Sequence, residues 1–296
     1  MKEPVKDVLV DCIIVTFHPD VPTLRKTIES IYAQVRTVNI IDNSTVPTDF
    51  GALTDLQNLR IKRLAKNIGI AAAQNMGISI AQKADAEFIM LSDQDTVYPA
   101  NYVADMIPVF SLYANTAAVV PKFTDLNKNS PDGFITPHPW IFQRSFPTAG
   151  KHELFHAISS GKILKVSELQ RIGLLDEDLF IDWVDLEWCW RARKSGYSVV
   201  GNADVEIVHQ LGDRSIDLKY REINLRSPIR HYFITRNAFY LAVHSEALDR
   251  KHRIVLFFKS FRYVLGFPIL ARPRYQNLNA VLVGFYHGIT GRLGNR

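Results

Sequence analysis

The chain has 296 residues, a net charge of +5, 47% hydrophobic and 22% charged residues, a composition that excludes an intrinsically disordered protein. Its two cysteines, Cys12 and Cys189, are too few and too far apart for a disulfide framework or a cysteine metal site, so we expect a reducing compartment. The N-terminus is too polar for a signal peptide, and no run of about eighteen apolar residues predicts a membrane-spanning helix.

Strands and helices are predicted to alternate through about the first 120 residues. Short apolar, β-branched runs predict strands at Val8–Phe17, Val38–Ile41, Leu59–Leu64, Glu87–Ser92 and Ala117–Pro121. Helices are predicted at 19–34, with Asp20 as N-cap and Pro22 in the first turn, at 69–82, and at 102–113, where Pro108 should cause a kink. This alternation predicts a mostly parallel sheet with helices on both faces.

The next segment has weaker periodicity. Residues 125–150 are expected to form a long surface loop that could cover a site. Strands are expected at 157–165 and within 197–209, and a capping box at Ser167 predicts a short helix. A further helix is expected from Asp182 to Ser195, closed by Gly196.

Polar residues end three of the predicted strands, namely Thr16, Asp42 and the pair Asp93 and Asp95. Because ligands of such sheets bind beyond the carboxyl ends of the strands, we expect a polar site at this edge. Two carboxylates one residue apart can hold a hard divalent cation that grips a diphosphate. An acidic surface turn has the same pattern, and this triplet alone does not distinguish the two.

A second acidic segment, FIDWVDLEWCWR, runs from Phe180 to Arg191. A helix that begins here places Asp182 and Asp185 on one face, with Asp185 in the first turn, where the helix dipole favours the ionised carboxylate that a general base needs. Asp182 also suits an N-cap, and Glu187 suits an ion pair with Arg191. Three of the four tryptophans lie in this segment, and their faces could support a sugar ring or belong to the core.

A histidine motif, His209-Gln210-Leu211-Gly212, follows the last predicted strand. Neutral histidine is a common ligand of divalent metals and a donor to phosphate. A structural histidine has the same appearance in a sequence, so both interpretations stay open.

Charge is unevenly divided along the chain. Residues 214–296 contain 15 Lys and Arg and 4 Asp and Glu, a local charge of +11, whereas residues 1–213 carry −6. This asymmetry predicts an anionic partner for the basic region. Within it, Arg250–Arg274 mixes basic with large apolar residues, which is typical of a segment in a membrane interface and also of helices with a solvated basic face. No nucleic-acid-binding signature accompanies it, so nucleic acid is not an expected partner.

These motifs in this order resemble the family 2 inverting glycosyltransferases of the GT-A fold. The resemblance covers about residues 8–213 and rests on Asp93-Gln94-Asp95, on the D-x-E-x-C-x-R pattern that begins at Asp185, on H-x-x-G at His209 and on KNIGIAAAQNMG at 66–77. The sequences FIDWVDLEWCWR and RHYFITRN, the latter at 230–237, are most similar to those of bacterial rhamnosyltransferases of surface-polysaccharide synthesis.

The resemblance implies a mostly parallel mixed α/β sheet of the GT-A type and a catalytic domain over residues 1–213. The basic composition of residues 214–296 predicts a C-terminal helical region for membrane association or oligomerisation. The resemblance further implies a nucleotide-sugar donor, dTDP-L-rhamnose, a glycan or lipid-linked acceptor, Mg²⁺ or Mn²⁺, and a place in the cytoplasm or on the inner face of the cytoplasmic membrane. The first alternative is the same mechanism with a UDP- or GDP-sugar. The second alternative is a nucleotidyltransferase, which requires a glycine-rich phosphate-binding loop near the N-terminus, and the N-terminal segment VTFHPDVPT contains no glycine. A non-catalytic sugar-binding protein is the third alternative.

The resemblance also implies a role for each site residue, with Asp185 as the general base and Asp95 and His209 as metal ligands. The donor-site residues would be Thr16, Phe17, Asp42, Asn43, Asn67, Gly69, Asn75, Asp93, Gln94 and Asp95. The acceptor-site residues would be Ser160, Gly161, Asp182 and Trp183. One position departs from the family pattern, since Val184 replaces the usual Glu before the base, and this raises the question of whether Asp182 supplies the second carboxylate.

Overall fold

The computed structural model describes residues 8–113, 115–125, 133–209, 215–217, 222–224 and 226–295. The strands are β1 (Val10–Thr16), β2 (Thr37–Asp42), β3 (Leu59–Arg63), β4 (Phe88–Ser92), β5 (Thr96–Val97), β6 (Thr116–Asp125), β7 (Phe134–Thr136), β8 (Gln143–Ser145), β9 (Lys151–Leu154), β10 (Ile163–Lys165), β11 (Ser198–His209), β12 (Ser215–Asp217) and β13 (Glu222–Asn224). The helices are α1 (Val21–Ile31), α2 (Ile70–Lys83), α3 (Tyr102–Met106), α4 (Val109–Leu112), α5 (Val166–Ile172), α6 (Val184–Lys194), α7 (Pro228–His244), α8 (Arg250–Leu270) and α9 (Arg274–Thr290).

A mixed, mostly parallel sheet forms the centre of the fold, as predicted. Its strand order is β3-β2-β1-β4-β10-β6-β11-β5, with β9 beside β11. The first four of these strands are mutually parallel, and β6 is parallel to β11. β10 runs antiparallel between β4 and β6, with Ile163 opposite Met90. The residues that precede β10 therefore lie at the carboxyl end of β4, beside the Asp93–Asp95 turn.

The apolar runs of the inner strands are buried on both faces of the sheet. On one face Cys12 and Ile14 pack in the same cluster as α1, while Ile13 lies in the cluster on the other face that includes α2 and α6. The α2 helix lies very close to the sheet, because a Cβ added at Gly77 would stand 2.4 Å from the Ile13 side chain. Helices on both faces explain why these strands are continuously apolar.

The start of α1 confirms its predicted capping. The Asp20 carboxylate accepts a hydrogen bond from the Thr23 backbone N–H at 3.0 Å, and Pro22 lies in the first turn. Pro108 also interrupts the predicted helix at 102–113, which divides into α3 and α4.

Three other predicted elements differ from the structure. Only Ile163–Lys165 of the strand predicted at 157–165 is extended in the sheet. The capping box at Ser167 is wrong, because α5 starts at Val166, whose N–H bonds to the Glu87 carbonyl in the sheet at 3.0 Å. The predicted loop at 125–150 contains, in its described part, the hairpin of β7 and β8, where cross-strand pairs supply the backbone hydrogen bonds.

The last three helices form the predicted C-terminal helical region. α7 packs against both α8 and α9. α7 and α9 approach closely, since a Cβ added at Gly284 or Gly288 would stand 2.7 Å or 2.5 Å from a backbone oxygen of α7. No helix in the described ranges combines the length and apolarity needed to cross a bilayer.

Candidate active site

The ends of β1 and β2 are joined by a buried hydroxyl–carboxylate cluster. Thr16 pairs with Asp42 in the parallel register, and the Thr16 hydroxyl donates to Asp42 Oδ1 at 3.0 Å. The Ser44 hydroxyl donates to the same oxygen at 2.6 Å. A buried carboxylate needs such donors, so they fix Asp42 beside Thr16 at the predicted edge of the sheet.

A second cluster links this edge to the start of α2. The Asn43 amide donates to Asn67 Oδ1 at 2.9 Å, and Asn43 Oδ1 accepts from the Ile68 N–H at 2.8 Å. Asn67 Oδ1 also accepts from the Gly69 N–H at 2.9 Å. The structure thus brings together Asn43, Asn67 and Gly69, as expected of neighbours in one site.

Gly69 is a point of close approach between two of the sequence motifs. Its φ is +87°, and a Cβ there would stand 2.6 Å from the Phe180 carbonyl oxygen and ring. The neighbouring Ile70 N–H donates to that carbonyl at 2.8 Å. Only glycine lets the start of α2 contact the backbone of the acidic segment this closely.

Asn75 occupies a different place from the other predicted donor residues. It is buried, and its amide donates to the Leu175 carbonyl and the Glu177 carboxylate at 2.9 and 2.8 Å. Its Oδ1 accepts from the Leu175 N–H at 3.0 Å. All three bonds hold the loop that leads to the acidic segment, so its predicted place beside the nucleotide stays a prediction.

The turn from Asp93 to Asp95 stands at the end of β4 and contacts the end of β1. Gln94 Oε1 accepts from the Phe17 N–H at 2.9 Å, and the Gln94 carbonyl accepts from the Thr27 hydroxyl at 3.2 Å. A cleft of about 190 Å³ lies beside the turn, lined by Asp20, Thr23, Gln94 and Asp95. Thr16, Phe17 and the acidic turn are therefore neighbours in space.

Two successive residues before β10 connect the two predicted carboxylate groups. The Ser160 hydroxyl donates to Asp93. The Ser159 N–H donates to Asp185 Oδ2 at 3.0 Å, and the Leu186 N–H donates to Asp185 Oδ1 at 3.0 Å. A strand-end aspartate and a helix-start aspartate that are 92 positions apart in sequence thus flank the same dipeptide.

The electrostatic setting of Asp185 combines burial with a nearby cation. Burial raises the pKa of its carboxyl, while the Lys162 ammonium and the N–H groups of Ser159 and Leu186 act to lower it. Lys162 is almost fully buried, and its Nζ donates to the Ala157 carbonyl at 2.9 Å and lies 3.4 Å from the Asp185 carbonyl. The sequence does not single out Lys162, because one Lys in a segment predicted as a strand carries no periodic signal, and the residue in fact lies just before β10.

The backbone that leads into α6 has an uncommon conformation. Phe180, Asp182 and Trp183 all have positive φ, between 61° and 68°. The predicted N-cap at Asp182 is wrong, because α6 begins at Val184, after a left-handed Trp183 that makes no side-chain cap. The Asp182 carboxylate instead binds the Arg230 guanidinium in two hydrogen bonds of 2.9 and 3.1 Å.

Side chains of α7 hold the loop before α6 by donating hydrogen bonds to the loop's backbone carbonyls. The Asn237 amide donates to the carbonyls of Leu179, Ile181 and Asp182 at 2.8–3.0 Å. The Arg236 guanidinium, fully buried, donates to the carbonyls of residues 178 and 179. Both residues belong to the RHYFITRN motif, but the motif does not indicate which backbone groups they bind.

The aromatic residues of the acidic segment divide between core and surface. Trp188 and Trp190 are buried, whereas Trp183 is partly exposed and donates from Nε1 to the Ile234 carbonyl at 3.1 Å. Glu187 forms the expected ion pair with Arg191 at 2.7 Å. Gly161, with φ +71°, accepts the Tyr102 hydroxyl on its carbonyl, which fixes the turn that follows Ser160.

The acidic turn suits a divalent cation that arrives with a diphosphate. Asp93 and Asp95 lie in one turn, and β5 pairs with β11 so that the His209 backbone stands opposite Thr96. The His209 side chain and residues 210–212 lie outside the described part of the chain. Among the described side chains no group of three or more His, Cys, Asp or Glu could hold a metal. A Mg²⁺ site that also binds phosphates nevertheless usually takes only one or two carboxylate ligands from the protein, and the phosphates and water supply the remaining ligands.

Comparison with known proteins gives concordant matches. The model of "Glycosyl transferase family 2" matches residues 12–173. The dTDP-rhamnosyl transferase RfbF of Shigella flexneri is 32% identical over 233 residues, which cover 77% of this chain and 78% of that protein.

Solved structures share the fold at low identity. S. aureus TarS 1-349 in complex with UDP-GlcNAc has a TM-score of 0.61 at 15% identity, covering 95% of this chain and 82% of that one. GalNAc-T7 with UDP, GalNAc and Mn²⁺ has a TM-score of 0.59 at 14% identity, covering 88% of this chain, and this chain spans 58% of that longer protein.

Proposed function

Because the chain belongs to glycosyltransferase family 2 and is a glycosyltransferase, we propose that it transfers L-rhamnose from dTDP-L-rhamnose to a hydroxyl of a polysaccharide or lipid-linked oligosaccharide. The name of the S. flexneri relative supports the choice of donor. The proposal includes inversion at the anomeric carbon, Asp185 as general base and a divalent cation on the diphosphate.

The observation that carries the proposal is the Ser159–Ser160 connection between Asp93 and Asp185. A transfer of this kind needs the donor diphosphate and the base on opposite sides of the anomeric carbon. Groups around Asp93 would bind the donor, and Asp185 would lie on the acceptor side. The Ser159–Ser160 dipeptide contacts both aspartates and so sets the spacing between the two sides.

In the proposed reaction, the acceptor hydroxyl oxygen attacks the anomeric carbon from the face opposite the diphosphate. Asp185 Oδ accepts the hydroxyl proton as the new C–O bond forms and the bond to the diphosphate oxygen breaks. The nucleoside diphosphate leaves, and one displacement inverts the anomeric configuration. Neither Cys189 nor a serine acts as a nucleophile in this scheme.

The remaining roles are assigned by position. Thr16, Phe17 and Asp42 would bind the nucleotide at the strand ends, with Asn43, Asn67, Gly69 and Asn75 shaping the wall beside it. Asp93 and Gln94 would contact the ribose side, while Ser160, Gly161, Asp182 and Trp183 would border the acceptor. Asp95 and His209 would hold Mg²⁺ or Mn²⁺, which, when bound, neutralises charge on the departing diphosphate.

We also propose that residues 1–213 form the catalytic domain and that the enzyme works at the inner face of the cytoplasmic membrane. A lipid-linked acceptor would be presented there, and the basic charge of residues 214–296 suits an anionic surface.

A donor panel tests the proposal. Purified protein is offered dTDP-L-rhamnose, UDP-sugars and GDP-sugars with Mg²⁺ or Mn²⁺, and transfer and donor hydrolysis are measured. We expect turnover of dTDP-L-rhamnose that EDTA abolishes and that Asp185→Asn lowers by about 10²–10⁴-fold. The matched control is Asp49→Asn, because Asp49 is exposed and its bond to the Gly51 N–H needs only an Oδ atom, which Asn retains.

Each contrary outcome removes a different part of the proposal. Turnover of another donor alone would exclude rhamnose and keep the mechanism. Activity that survives EDTA would exclude the metal. A fully active Asp185→Asn protein would exclude this base.

A further inference from the structure

The outer face of α8 carries exposed apolar side chains from its first turn to its last. Ile254, Phe258, Leu265 and Ile269 recur at helical spacing, and the last three are 69%, 66% and 65% exposed. The opposite side of the helix is the one that the protein buries, through His252, Leu256, Ser260 and Phe267. A folded protein seldom leaves such a stripe in water without a partner.

The outer face of α9 has the same character. Tyr275, Leu278, Leu282 and Tyr286 are exposed and follow helical spacing, with Tyr275 at 82%. Its buried side faces α7 through small residues, including Gly284 and Gly288. The two last helices therefore both direct large apolar side chains away from the body of the protein.

Charge identifies the kind of partner. Residues 250–296 contain nine Lys and Arg and no Asp or Glu. Lys251 and Arg262 are exposed on the same side of α8 as its apolar stripe, and Arg272 in the link to α9 and Arg274 at the start of α9 are also exposed. Apolar side chains edged by cations, with no acidic residue among them, match the hydrocarbon and headgroup layers of an anionic bilayer.

A second copy of the chain fits this surface less well. A two-fold interface brings the same patch of both copies together, and here it would place cation against cation. An aromatic edge also favours lipid, because Lys251 Nζ lies 3.8 Å from the ring centre of Trp140, which is 57% exposed. Tryptophan and tyrosine are the side chains that concentrate at membrane–water boundaries.

α7 connects this surface to the candidate base. It packs directly on α8 and α9, and its Asn237 and Arg236 donate to the carbonyls of residues 178, 179, 181 and 182. A membrane bound at α8 and α9 would therefore stand at a set position relative to Asp185.

We infer that the outer faces of α8 and α9 form an interfacial binding surface for an anionic lipid bilayer, joined through α7 to the acceptor side of the site. The assignment of the surface depends on exposure and charge alone. Only the idea that membrane binding brings the site close to a lipid-linked acceptor rests on the proposed function. The helices would lie in the headgroup region without crossing the bilayer.

The test is flotation of the full chain with vesicles of phosphatidylcholine mixed with phosphatidylglycerol, with pure phosphatidylcholine as the neutral comparison. We expect binding to the anionic vesicles that weakens as salt is added. Lys251→Gln combined with Arg262→Gln should weaken binding by about 25-fold, at about fivefold for each cation. Phe258→Ser combined with Leu265→Ser should weaken it by tenfold or more. All four positions are exposed, so folding, checked by circular dichroism, and donor hydrolysis should be retained.

Asp185→Asn separates this inference from the catalytic proposal, since it should bind vesicles as the wild type does while transfer is lost. Equal binding of the wild type and both double variants would overturn the inference. So would a stable dimer in sedimentation velocity that Phe258→Ser with Leu265→Ser dissociates, because a second copy would then cover the surface.

Discussion

Asp42 and Asp93 stand directly at or after the ends of sheet strands, whereas Asp185 follows a loop that a helix beginning at Pro228 holds in place. The strand-end residues owe their position to the strand register and to hydroxyl groups that donate to their carboxylates. Asp185 depends on three residues with positive φ and on backbone carbonyls that Asn237 and Arg236 bind. The strand-end half of the candidate site is thus built by the sheet, and the half that carries the candidate base is held by the C-terminal helices.

Gly69→Ala should have the largest effect, because it breaks the contact between the two halves. The added Cβ would meet the Phe180 carbonyl at 2.6 Å on a backbone with φ +87°, and strain and overpacking together should cost about 3–5 kcal/mol of unfolding free energy. Chemical denaturation measures this. Gly196→Ala is the matched control, since its φ is +81° and no atom lies within 4 Å of the added Cβ. The Gly196→Ala protein should lose only about 1 kcal/mol of unfolding free energy. Equal losses in the two variants would contradict the importance of the Gly69–Phe180 contact.

Asn237→Ala should weaken the base side while sparing the donor side. It removes hydrogen bonds to the carbonyls of Leu179, Ile181 and Asp182, of which Leu179 keeps its bond from Arg236, and the loss of these bonds should cost about 2–4 kcal/mol. We expect kcat to fall more than tenfold as Asp185 loses its position, with donor KM changed little. Steady-state kinetics separate the two constants. Asn279→Ala, at an exposed position of α9, is the control, and a loss confined to donor KM would contradict this division of the site.

Lys162→Met should have the smallest and most specific effect, a change in pH dependence. Burial already raises the pKa of Asp185, and the Lys162 ammonium opposes that rise. Without the cation the pKa of Asp185 should rise further, so the base is protonated over a wider range. Activity should then be lost at a higher pH as pH falls, and be largely recovered in more alkaline buffer.

The pH profile of kcat/KM, compared with that of Lys162→Arg, measures this role of Lys162. The Arg variant keeps the charge and should keep the profile nearer the wild type. The second control is Lys165→Met, which removes a half-exposed lysine that is paired with Glu168. An unchanged acidic limb in Lys162→Met would show that the lysine acts only in packing.

Much of the fold and of the polar edge of the sheet follows from local patterns. The strands that end at Thr16, Asp42 and Ser92 are short apolar runs between polar residues, and Asp20 caps α1 as its sequence context predicts. The errors at the starts of α5 and α6 share one cause, competition from groups that are distant in the sequence. The Val166 N–H bonds to the carbonyl of Glu87, just before β4, and the Asp182 carboxylate is bound by the Arg230 guanidinium.

The sequence by itself determined the alternation of strands and helices, the family, and the polar edge where β1, β2 and β4 end. These features depend on periodicity and on residues adjacent in the chain, which a linear pattern records. Tertiary structure alone decided that Ser159 and Ser160 join Asp93 to Asp185, that Lys162 is buried beside Asp185, and that α7 binds the loop that precedes α6. Each of these contacts pairs groups from separate elements, most of them tens of residues apart, and their desolvation and hydrogen bonding exist only once the elements pack.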